Sequence, residues 1–200
     1  MIRLVTVIAA TLSLTACLSL IPEPDAPLAL YRLGPVKGDV ARNLPASVII
    51  REPEAPKILA GDALVSKDDR GALRLVKGVE WADRSTRMMQ LTLLDFLDGE
   101  GDGLAILPES GGRAEYELAW RVSEFSLQGG DALARLELTL ISSDRRLPIQ
   151  QTTVSSRIPS LGSSVSARAQ ALSEAGRDVV AQTADFLSEE IAAAETVQTD

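Results

Sequence analysis

Side chains able to do chemistry are scarce in this 200-residue chain, which has no histidine and one cysteine. Without histidine there is no Ser-His-Asp or Cys-His machinery, no imidazole metal ligand and no imidazole pH switch. A lone cysteine removes intrachain disulfides, CxxC redox chemistry and cysteine-rich metal sites. Carboxylates remain, in the closely spaced pairs Asp68/Asp69, Asp95/Asp98 and Glu189/Glu190. Acid–base work needs one carboxyl raised while its neighbour stays ionised. No flanking sequence arranges that, so all three pairs are expected on solvated faces.

Two further runs invite a ligand. Asp98-Gly99-Glu100-Gly101-Asp102-Gly103 places acids at positions 1, 3 and 5 of a calcium-type loop, Gly103 at 6 and Glu109 at 12. Against that, Glu100 is longer than the usual Asp or Asn, and Pro108, Gly111 and Gly112 deny the loop an exiting helix. A solvated connection is the preferred reading, with calcium binding left open. Gly162-Ser163-Ser164 could cradle an anion at a helix start, but capping is the simpler role. No Walker A, GxGxxG or GxSxG run is present. The expectation is a non-enzyme with no cofactor and no metal.

The single cysteine carries the strongest local signal. Met1-Ile2-Arg3 is a short basic start, and Leu4 to Leu14 is an uncharged apolar run. That run is too short to span a bilayer, which takes ~20 residues, and has the form of a secretory signal peptide. It ends in Leu14-Thr15-Ala16-Cys17, which resembles the bacterial lipobox. The resemblance implies cleavage after residue 16 and acylation of Cys17. One acyl chain holds marginally and two or three hold firmly, at ~0.8 kcal/mol per buried CH₂. Leu18, rather than Asp, follows the cysteine, which favours the outer membrane over the inner. Residues 17–27, with Pro22, Pro24 and Pro27, form an extended tether that at ~3 Å per residue reaches ~35 Å.

Charge limits the partners. With 20 basic and 28 acidic side chains the chain carries a formal −8, which excludes general nucleic-acid binding. An acidic surface is also repelled by anionic headgroups, so lipid rather than a polybasic patch is expected to hold it at the membrane.

Residues 28–195 read as one α/β domain, an antiparallel or mixed sheet packed on two helices, with 196–200 frayed. Strands are expected at Leu28–Leu33, Ser47–Arg51, Ala63–Lys67 and Ala72–Val76, the last two joined as a hairpin through Asp68-Asp69-Arg70-Gly71. A helix over Asp83–Leu97, capped by Asp83 or Ser85, carries a broad apolar stripe. Leu104–Leu107 reads as a short buried strand. Ala114–Gln128 and Ala132–Ser142 alternate apolar and polar residues around Gly129-Gly130, a hairpin signal, with a bulge near Ser123-Glu124. Leu147–Ile158 is polar enough for an edge, where a partner or a second copy could add a strand. A last helix runs from a Ser163 or Ser164 cap to Ala194, with Gly176 inside its apolar stripe. Trp81 and Trp120 are assigned to the core.

In order and spacing, these features resemble the ABC-type transport auxiliary lipoprotein family. The residues that carry the likeness are the lipobox, Tyr31-Arg32-Leu33 after a Pro-rich tether and Ser47-Val48-Ile49-Ile50. Trp81-Ala82-Asp83 opening a helix that ends Leu93-Leu94-Asp95-Phe96-Leu97, then Tyr116-Glu117-Leu118, a hairpin and a long final helix complete it. One position departs: Ile58, in Pro56-Lys57-Ile58-Leu59, stands where family members carry an aromatic. The resemblance implies an α/β sandwich anchored by lipid on the periplasmic side of the envelope. It implies work beside an ABC permease, its ATPase and an MCE-domain (mammalian cell entry) subunit that moves lipids or other hydrophobic molecules. It supplies no catalytic residues. The alternative reading is a periplasmic carrier holding its own lipid between sheet and helices.

Overall fold

A computed structural model describes residues 29–199 apart from 35, 37 and 38. The expected signal peptide, Cys17 and the tether to residue 27 lie outside the described residues. The molecule is organised around one long hairpin. Strand β6 (Tyr116–Gln128) pairs antiparallel with β7 (Asp131–Ser142) along its whole length. Leu118, Trp120 and Val122 face inward, and a bulge between Val122 and Glu124 resets the phase so that Phe125 and Leu127 also face inward. Gly129, at φ 59°, makes the turn in a conformation that costs glycine least. Strand β8 (Leu147–Pro159) continues the meander antiparallel to β7 and has no second partner among the described residues.

The other edge of β6 is shared. Near its start it takes β2 (Val48–Ile50) in parallel, with β5 (Ala105–Ile106) beyond. Near its end it takes β3 (Ala63–Lys67) in parallel, followed by β4 (Leu73–Trp81) and β1 (Ala29–Tyr31). The result is a mixed eight-stranded sheet packed against two helices, the expected fold class.

Helix α2 (Val165–Thr199) lies across the inner face of β6, β7 and β8, and α1 (Ser85–Phe96) packs against α2. The stripe Ala169, Leu172, Val179, Val180, Thr183, Leu187 and Ile191 is fully buried. Ser164 caps this helix, its Oγ accepting from the Ala167 amide at 3.1 Å. Trp81 stacks on Phe125 with ring centroids 5.2 Å apart, and the Trp120 indole donates to the Arg51 carbonyl at 2.7 Å. Both tryptophans are core residues. Each fully buried Leu, Val or Phe contributes ~1.5–3 kcal/mol, so this layer is the main source of stability.

Several boundaries differ from the sequence expectation. Neither Asp83 nor Ser85 caps α1. Arg84 occupies the cap without a side-chain bond to the helix amides, its guanidinium donating to Glu52 instead, and Asp83 accepts from the adjacent Arg84 amide. Ser85 is buried, with its hydroxyl donating to the Leu59 carbonyl and its amide to that of Gly61. A tertiary contact therefore replaces the local cap. Strand β4 continues past Val76 to Trp81, with Gly78 at φ 82° in an irregular stretch between the Ala63 and Val65 pairings. β5 is half-buried rather than buried, and Leu104 before it is exposed. α2 continues beyond Ala194 to Thr199.

The glycine-rich run 98–103 has a packing explanation. The segment 39–46 is clamped along α2, where Arg42 forks onto Asp185 at 2.7 and 3.2 Å and Ser188 donates to the Asn43 carbonyl at 2.8 Å. The run lies against the other side of that segment. A Cβ at Gly99 would stand 2.6 Å from the Arg42 carbonyl oxygen, at Gly101 2.5 Å from that of Leu44, and at Gly103 2.3 Å from that of Ala46. Alternate residues are glycine because alternate residues face a neighbouring backbone. Gly103→Ala should therefore lower unfolding stability by ~1–3 kcal/mol. Gly130→Ala, with nothing within 4 Å of its Cβ, should stay within ~0.5 kcal/mol. Urea unfolding of both variants checks the contrast.

Candidate interaction surfaces

The described residues that sequence singled out do not converge on a reaction centre. Asp98, Glu100 and Asp102 point away from the glycine contacts and are exposed. Glu109, twelfth in the calcium-type spacing, sits in a 3₁₀ turn (Pro108–Ser110) and pairs with Arg87 at 3.1 Å. Among the described residues no group of three or more acids is placed to hold a metal ion. Asp95 differs from the expectation of an unperturbed pair. Partial burial, and then the neighbouring Asp98 charge, raise its carboxyl above the ordinary aspartate value. Asp68 is lowered, chiefly by its hydrogen bond from the Ala72 amide inside the β3–β4 turn. That contact is turn chemistry.

The sheet face away from the helices is open and ionic. Lys67 reaches Glu124 at 2.9 Å and Arg157 reaches Asp131 at 2.8 Å, while Arg121 pairs with Glu137 across β6 and β7. A shallow concavity of about 630 Å³ lies on this face, lined by Lys67, Glu124, Arg135, Glu137 and Arg157. Among the described residues Glu117 is the one buried charge. It accepts from Arg51, with Arg146 3.6 Å away, and this hydrogen bond holds the Arg51 guanidinium above its ordinary value. Cross-strand pairs of opposite sign keep such a face soluble, and exposed ones add little stability.

The two ends of the sheet differ from each other. At one end the β7–β8 turn meets the end of α2, where Leu147, Pro148, Ile149, Ala193, Ala194 and Val197 line an apolar groove of about 420 Å³. Leu147 is 59% and Ile149 40% exposed. Pro148 has no amide to offer, and the register shifts there, so Ile149 falls on a bulge. These features blunt the start of β8 against uncontrolled strand addition. The sequence did not reveal this groove, because its two walls lie some fifty residues apart (Leu147 and Val197). The available signal was an apolar Leu-Pro-Ile opening to an otherwise polar strand. Among the described residues no helix is long and apolar enough to cross a membrane.

Comparison with known proteins is consistent with this architecture. The family described as ABC-type transport auxiliary lipoprotein component matches residues 31–184. A solved Xanthomonas campestris protein of family DUF330 has 18% identity and a TM-score of 0.73, over 86% of this chain and 99% of that one. A second solved structure, of an uncharacterized protein, has 14% identity and a TM-score of 0.62, over 82% of this chain and 100% of that one. Both likenesses concern the fold. No curated protein matches the chain. The chain belongs to the ABC-type transport auxiliary lipoprotein family.

The raised carboxyl of Asp95 bears on stability. The native state holds that proton more tightly than the unfolded chain does. The ionised carboxyl therefore destabilises the fold at neutral pH, and the penalty vanishes below the ordinary Asp value of about 3.9. Asp95→Asn should raise Tm at pH 7 and lose that advantage as the pH falls through this range, as calorimetry across pH will check.

Proposed function

We propose that this chain is a non-enzymatic adaptor of an ABC-type transport system, anchored through an acylated Cys17 on the periplasmic side of the outer membrane. In this reading it couples an MCE-domain subunit, with its permease and ATPase, to that membrane, and the cargo is a lipid or another hydrophobic molecule. Family membership supports the transport role. The observation that carries the adaptor role is the polarity of the domain. The chain enters β1 at Ala29 running away from the β3–β4 turn, because β1 is parallel to β4. Ala29 thus lies in the half of the sheet nearer that turn, and the apolar groove at Leu147 and Ile149 lies at the other end. A tethered domain with an exposed apolar groove at its far end is suited to meet another subunit there.

The carrier alternative requires an apolar chamber between sheet and helices. That layer is filled by Trp81, Phe125, Met89, Leu93, Leu172 and Val180, all buried, so the adaptor reading is preferred.

Two variants test it in the native envelope. Cys17→Ala should stay unprocessed and leave the outer-membrane fraction. The double variant Leu147→Glu/Ile149→Glu should fractionate like wild type and keep its Tm within a few degrees, because both side chains are already exposed. It should nonetheless lose at least tenfold of any co-purifying MCE or permease subunit, about 1.4 kcal/mol. If wild type repeatedly brings down no transporter subunit, the adaptor reading falls.

A further inference from the structure

The end of the sheet that carries the β3–β4 turn has its own composition. Leu73 and Leu75, at the start of β4, are 38% and 59% exposed. Strand periodicity puts them on one face of the hairpin with Arg74 between them. Arg70 and Lys77 are exposed on either side and form no ion pair among the described residues. From Lys67 to Lys77 the hairpin carries four basic and two acidic side chains, in a chain whose formal charge is −8. Backbone pairing ties this hairpin to the rest of the same end. Leu73 lies opposite Lys67, Lys67 beside Gln128, and the Ser160 amide donates to the Gly130 carbonyl in the β6–β7 turn. Leu161, fully exposed, follows immediately.

We infer that this end, led by Leu73 and Leu75, docks on the surface of the bilayer that holds the Cys17 acyl chains. The inference rests on the anchoring of Cys17 in the proposed function and adds the orientation of the domain. Three observations select a lipid surface as the occupant. β1 starts at Ala29 opposite Val79, six residues along β4 from Leu73, which is ~20 Å of strand. Cys17 lies twelve residues before Ala29, and an extended chain of that length spans at most ~40 Å, enough to seat the hairpin on the membrane without strain. The charge pattern also fits. Exposed leucines enter the headgroup boundary while Arg and Lys, with apolar stems and cationic tips, extend to lipid phosphates. Each basic residue near an anionic surface adds to the attraction.

The test uses the full processed lipoprotein in vesicles of phosphatidylethanolamine and phosphatidylglycerol. Once Cys17 is acylated the chain has no other cysteine, so an introduced thiol is the sole labelling site. An environment-sensitive fluorophore on Leu75→Cys should shift to the blue on reconstitution and be quenched by lipid-borne quenchers. The same probe on Leu147→Cys, at the far end, should keep its aqueous spectrum. Leu73→Ser/Arg74→Ser in the Leu75→Cys background should still float with vesicles and lose the blue shift. Flotation with an aqueous spectrum at Leu75→Cys overturns the docking and leaves the anchor standing. Failure to float, with no acyl mass on Cys17, overturns both. A blue shift present in detergent without vesicles that rises with protein concentration assigns the hairpin to a second copy and overturns the membrane assignment.

Discussion

The burial of one face of the β6–β7 hairpin beneath α2 is the constraint on which the other features depend. Leu118, Val122, Leu127, Leu136, Leu138 and Leu140 are essentially removed from solvent. They can be so only while the 13-residue β6 keeps its alternation through the bulge at Val122/Glu124. A one-residue slip without that bulge would send Phe125 and Leu127 to the open face. Gly176 reinforces the arrangement, since a Cβ there would stand 2.8 Å from Leu33 and 2.9 Å from Phe125. The helix thus sits closer to the sheet than a side chain at that position allows. With one face committed to α2, the other has to be polar, and the alternating ion pairs of β6 and β7 meet that requirement.

How much of this was legible in the sequence depends on whether the determinant was local. The meander β6–β7–β8 was visible because period-two alternation and Gly129-Gly130 are local signals, and the bulge announced itself as a phase break. The long helix was visible from its stripe and its cap, although its end was not. The start of α1 was misread for a nonlocal reason: Ser85 has the composition of a cap, yet Leu59 and Gly61 occupy it from another segment. The run 98–103 shows the same ambiguity more sharply. A calcium loop asks for oxygen donors at alternate positions and a glycine at the sixth, a backbone packed against a neighbour asks for glycine at the positions between, and this run offers both patterns. Only the position of 42–46 distinguishes them.

The functional surfaces divide along the same line. The proposed anchoring through Cys17 rests on sequence alone, because a lipobox is a linear address. The groove and the basic hairpin are not legible there, because each becomes a surface only when the fold sets its parts at a particular end. The one local hint lies in Ala72-Leu73-Arg74-Leu75-Val76, where apolar and polar residues do not alternate strictly. In the folded chain both leucines of that strand are left exposed.

Net charge illustrates why location matters more than totals. A formal −8 argues for repulsion from anionic headgroups if the charge is treated as spread evenly. At physiological ionic strength, however, fields decay over about 8 Å. Acidic residues on α2 such as Asp185 and Glu190 lie 20 and 25 residues along the helix from its start at Val165, ~30 Å or more of helix, a few such lengths, and contribute little there. What the membrane meets is set by Arg70, Arg74 and Lys77 against Asp68 and Asp69, and Arg74 stands 3.7 Å from Asp68. Local excess positive charge therefore survives in an acidic protein. The remaining negative charge still matters, because it disfavours any orientation that lays the acidic helix face on the bilayer. Attraction at one end and repulsion elsewhere would act together on a domain that the proposed Cys17 anchor keeps within reach.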